Sequence, residues 1–97
     1  MANQFIFAII EEHVSKRDGK VYESRMNFRK LADAERHLKT NFENGVGKDV
    51  IEEMSGRKVE SVEMSKTPHG YLRVQYWLDD KGEERLLYHE IRRELIH

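Results

Sequence analysis

Cysteine is absent from the chain, which excludes disulfides, thiol nucleophiles and zinc sites built on thiolates. Proline occurs once, at Pro68, and no stretch is of low complexity, so there is no flexible or rigid linker to divide the chain. The 97 residues are read as one domain, residues 1–97, with enough chain for a single core and little to spare. Long apolar runs are missing too. The run FIFAII at residues 5–10 falls far short of the roughly 20 residues a membrane helix needs. It also lacks the length and the preceding basic segment of a signal peptide. A cytoplasmic protein without membrane contact is the expectation. An excess of one charge is the last absence: 17 basic residues stand against 18 acidic ones. Such balance disfavours a dedicated polyanion binder or an acidic mimic of nucleic acid.

What the chain does have is period. Residues 71–90, YLRVQYWLDDKGEERLLYHE, alternate as a strand with two distinct faces and then turn back. Asp79, Asp80, Lys81 and Gly82 supply the turn, with Gly82 suited to the left-handed position of a three-residue loop. That loop sets Tyr76 against Leu86 and Val74 against Tyr88. On the other face it sets Trp77 against Arg85, Gln75 against Leu87 and Arg73 against His89. Residues 5–10 are apolar throughout, as in a strand covered on both faces. A three-residue loop over residues 17–19 pairs Val14 with Tyr22, Ile10 with Met26 and Ala8 with Phe28. It also opposes Glu11 to Arg25 and His13 to Glu23.

The period then changes. Leu31, Ala34, Leu38 and Phe42 recur at three and four, which predicts a helix ended by Asn44 and Gly45. Asp49 is the expected cap of a short second helix stopped by Gly56. Residues 59–64 read as a weaker strand. The final strand is placed to about Ile91, followed by a short tail or helical turn. The fold class is therefore α+β: a mostly antiparallel five-stranded sheet, in the order β-β-α-α-β-β-β, with one main helix packed on one face.

Chemistry is harder to find. Gly45, Val46, Gly47, Lys48 and Asp49 come nearest to a phosphate loop, but Phe42 stands where a glycine is needed and Asp49 where Ser or Thr is needed. Helix stop and linker is the better reading. His13, His37, His69, His89 and His97 are scattered without metal-ligand spacing. The carboxylate pairs are adjacent in sequence, so in a strand they point to opposite faces and share no proton. No catalytic residue, metal or cofactor is expected, and the protein is read as a non-enzyme.

Binding remains. Tyr71, Arg73, Gln75 and Trp77 share a face, joined across the hairpin by Arg85 and His89. Trp, Tyr and Arg dominate binding energy at protein interfaces, which makes this set the expected partner-binding surface. The competing reading is that the C-terminal tail, with Leu95 and Ile96, covers it. A small inhibitor or adaptor of a protein partner is the function expected. Such a protein would suit a virus or mobile element, although no residue shows that origin. The alternative is a nucleic-acid-binding regulator using Arg25, Arg29, Lys30, Arg36 and Lys39 around the first helix. Finally, Phe5, Phe7 and Ile9 are left on the face away from that helix, which predicts a homodimer interface there.

Overall fold

The computed structural model describes residues 4–96. The elements are β1 (Gln4–Val14), β2 (Val21–Phe28), α1 (Leu31–Glu43), α2 (Val46–Ser55), β3 (Ser61–Lys66), β4 (Leu72–Trp77) and β5 (Arg85–Ile96), in the order read from the sequence. Every strand pairing is antiparallel, and the sheet runs β2-β1-β5-β4-β3. The helices lie on one face of it. Ala34 and Leu38 of α1 and Ile51 of α2 are buried with Ile9, Val74, Tyr76, Leu87 and Ile91 from the sheet. Each of the valine, leucine and isoleucine side chains among them contributes roughly 1.5–3 kcal/mol through burial.

Gly45, at φ +71°, turns the chain out of α1 and directly into α2. The second helix thus begins ahead of its expected cap. Asp49 sits in its first turn, where a carboxylate suits the positive end of the helix dipole. Gly56 ends α2 as expected. β3 starts at Ser61 rather than Val59, and Val59 instead plugs the core at 1% exposure.

Two departures decide which residues face the helices. The β1–β2 hairpin closes on residues 16–19, one residue more than expected. The Ser15 amide donates to the Lys20 carbonyl (3.0 Å), the Gly19 amide to that of Ser15 (2.8 Å), and Asp18 Oδ1 accepts from the Lys20 amide (3.0 Å). The added residue slides β1 along β2, pairing Ile9 with Met26 and Phe7 with Phe28. In a period of two this turns β1 over. Phe7 and Ile9 therefore lie under the helices, and Ile6, Ala8 and Ile10 take the open face. β1 is apolar on both faces, so its pattern held no preference.

The second departure is a bulge. The β4–β5 loop is the one expected: Gly82 has φ +72°, the Leu78 amide donates to Glu84 O (2.8 Å), and Trp77 opposes Arg85. Leu86 is then an extra residue, and beyond it Tyr76 pairs with Leu87, Gln75 with Tyr88 and Val74 with His89. His89 is turned into the core and Tyr88 out of it, the reverse of the expectation.

β5 also runs on to Ile96, pairing with Gln4, instead of ending near Ile91. Residues 92–96 extend the sheet and do not fold back over a face. The open face is roofed by its own side chains. The Arg25–Glu94 ion pair reaches from β2 to β5 above β1, and Ala8 and Ile10 beneath this layer are buried.

Candidate functional site

The open face is organised around Glu90, a carboxylate only 5% exposed on the central strand. It lies opposite Arg73, whose Nε and Nη2 donate to Oε2 at 2.8 and 2.5 Å. Arg92, two residues along the same strand, donates from Nε to Oε1 at 2.6 Å. Arg92 also donates from Nη2 to the Tyr88 hydroxyl at 2.7 Å. The guanidinium carbons of Arg73, Arg85 and Arg92 stand 5.7, 5.4 and 6.0 Å from the Tyr88 ring centre, within reach of cation–π attraction. Burial pushes the Tyr88 phenol above its usual range, against the pull of Arg92. The Glu90 hydrogen bond holds Arg92 still more firmly protonated. A single buried acid thus fixes two arginines, and their planes frame an aromatic ring.

Of the residues expected here, Arg73, Gln75, Trp77 and Arg85 do share this face. Tyr71 lies just ahead of β4, edge-on to Phe7 with ring centres 6.1 Å apart. His89 does not belong to the surface. It is buried on the helix side, with its Nδ1 3.1 Å from the Tyr76 hydroxyl. Tyr88, Glu90 and Arg92 were missed because a plain alternation, without the bulge, assigns their strand to the wrong face.

The basic residues around α1 do not converge. Arg25 is on the open face, engaged by Glu94, whereas Arg36 and Lys39 project from α1 on the other side of the sheet. Arg36 is 3.5 Å from Asp33, and Arg29 and Lys30 lie in the link from β2 to α1. Compared with protein-family models, curated proteins and solved structures, the chain finds no match.

One depression adjoins the site and another lies on the far face of the sheet. A groove of about 580 Å³ lies between the turn after β3 and β5, lined by Thr67, His69, Tyr71, Arg73, Arg92 and Arg93 among others. On the helix side, a cleft at the end of the first hairpin holds Glu11, His13, Asp18, Tyr22 and Ser24. There the Tyr22 hydroxyl donates to Asp18 Oδ2 at 2.5 Å. That bond and the Lys20 amide hold the exposed Asp18 carboxyl below its usual range. Among the described residues no group of three or more His, Cys, Asp or Glu side chains is placed to hold a metal ion. No helix among them is long and apolar enough to cross a membrane.

Proposed function

We propose that the protein is a non-enzymatic module that binds a protein partner through the open face of its sheet, as an inhibitor or adaptor. The observation that carries this reading is the Arg73–Arg85–Arg92 cluster around Tyr88, beside Trp77, on a face that no helix among the described residues covers. Arginines fixed in advance lose little freedom on binding, and Tyr and Trp bury large area with few rotors. Acidic groups, among them Glu12, Glu63, Glu90 and Glu94, alternate with the basic ones on this face, which suits a protein better than a polyanion. A cytoplasmic setting accords with the lack of cysteine. Phe7 and Ile9 pack beneath the helices, so the face expected to form a homodimer through Phe5, Phe7 and Ile9 is occupied within the chain.

The test is affinity capture with the wild-type protein, Trp77→Ala with Tyr88→Ala, and Lys39→Ala, each verified as folded. Support is a protein captured by wild type and Lys39→Ala and lost by the Trp77/Tyr88 variant. Nucleic acid captured instead, released steeply by salt and lost with Lys39→Ala, overturns the proposal in favour of the α1 surface.

A further inference from the structure

β5 is paired on both sides only as far as Glu90. Over residues 92–96 it has β1 on one side and, among the described residues, no strand on the other. Alternate backbone N–H and C=O groups therefore line an open edge, and such an edge is a template for a further strand. Proline and lysine are absent from this stretch, and its charges are Arg92, Arg93 and a Glu94 already paired with Arg25. The 580 Å³ groove runs beside the start of this edge.

We propose that this edge takes an extended acidic segment of a partner protein, added as a sixth strand with its carboxylates against Arg92 and Arg93. This rests on the reading of the protein as a protein-binding module and names the chemistry of what is bound. Charge complementarity selects the occupant. The groove carries Arg73, Arg92, Arg93 and His69, and its one acid, Glu90, is already enclosed by two guanidiniums. Arg93 has no carboxylate partner among the described residues and lies 4.5 Å from the Phe5 ring centre. A strand laid here would alternate its side chains between the Arg92 face and the Arg93 face, while exposed Leu95 and Ile96 offer apolar contact farther along. A second copy of the chain fits poorly in the registers that use the arginines. Antiparallel twofold pairing centred on Arg92, Arg93 or Glu94 sets that charge directly against itself.

The probe is a fluorescein-labelled octapeptide of alternating valine pairs and glutamate pairs, which places carboxylates on both faces of the added strand. It is compared with its valine–glutamine analogue and with a version N-methylated at alternate amides. Anisotropy titration should show the acidic peptide binding at least tenfold more tightly than the glutamine analogue, and N-methylation should abolish binding. Arg93→Glu, whose exposed position leaves the fold intact by circular dichroism, should weaken binding at least tenfold. Hydrogen exchange at the amides of residues 92–96 should slow on binding. Equal affinity for the two peptides, absence of binding at millimolar peptide, or binding without slowed exchange overturns the proposal. So does an edge already protected in the protein alone and deprotected on dilution, which would mean a second copy sits there. A captured partner that protects Trp77 and Tyr88 while residues 92–96 exchange freely removes this inference and leaves the open-face reading standing.

Discussion

The Tyr76 hydroxyl lies 3.1 Å from Nδ1 of His89, the two rings meeting edge to face at 5.0 Å in the core beneath α2. A neutral ring that accepts the hydroxyl proton at Nδ1 carries its own proton on Nε2. Burial pulls the His89 pKa down, opposed by the charge of Glu11 and assisted by His13. Burial and the Glu11 charge push the Tyr76 phenol up.

Stability should therefore fall on mild acidification. The unfolded chain binds a proton at His89 near pH 6.5 and the folded chain resists it. The His89 contribution is complete above that pH and is lost as pH drops toward the lower folded value, by at most about 1.4 kcal/mol per pH unit. Urea melts between pH 7.5 and 5 should show this slope, and His89→Gln should flatten it. An unchanged slope in His89→Gln would place the pH sensitivity elsewhere.

Gly47 lets α2 approach this pair. A Cβ there would overlap the Tyr76 hydroxyl and stand 3.2 Å from His89 Cε1. Alanine favours a helix by about 1 kcal/mol over glycine, yet overpacking costs roughly 1–3 kcal/mol. Gly47→Ala should thus be destabilising on balance. In a Tyr76→Phe background, where the obstructing oxygen is gone, the same change should be neutral or stabilising. Denaturant midpoints of the four proteins give the coupling directly, and additivity within about 0.3 kcal/mol would refute the contact.

Glu90→Gln should keep the shape of the open face and remove its central charge. Three charge-assisted bonds weaken at once, at a cost of about 1–3 kcal/mol because both arginines retain access to water. The more telling readout is tyrosine fluorescence or NMR line width at Tyr88. Loss of the anchor should loosen Arg73 and Arg92 around that ring. A rigid, unshifted Tyr88 would show that Glu90 does not order the cluster.

Phe7→Glu should destabilise the protein and leave its molecular mass unaltered. Phe7 packs against the core beside Tyr71, so the change forfeits burial and places a carboxylate against apolar neighbours, about 2–4 kcal/mol in all. Light scattering and urea melts on the same samples decide. A stable variant whose mass halves would restore the twofold interface expected there from sequence.

The elements were legible because helical and strand periods differ, and because Gly56 and Gly82 sit where left-handed backbone is required. The α1 stripe and the β4–β5 loop could be read residue by residue. Facing was less legible, and for a specific cause. Ile6, Ala8 and Ile10 are as apolar as Phe5, Phe7 and Ile9, so only the length of the first loop chose between them, and Asp18 chose by capping the Lys20 amide. The bulge at Leu86 has no local signal either. Leu86 and Leu87 are both buried because two adjacent leucines meet one core, and satisfying both requires a break in alternation. Everything placed on the open face beyond Arg85 followed from that break.

The sheet order also dictates how the molecule comes together. Three hairpins, β1–β2, β3–β4 and β4–β5, join residues close in sequence, but the β1–β5 seam ties residues nearly a chain length apart, such as Phe5 and Leu95. Closing so long a loop is entropically costly and slow, so this seam should form late and limit the folding rate. During synthesis the earlier strands must wait, with β1 half paired, until the strand that completes the middle of the sheet has left the ribosome.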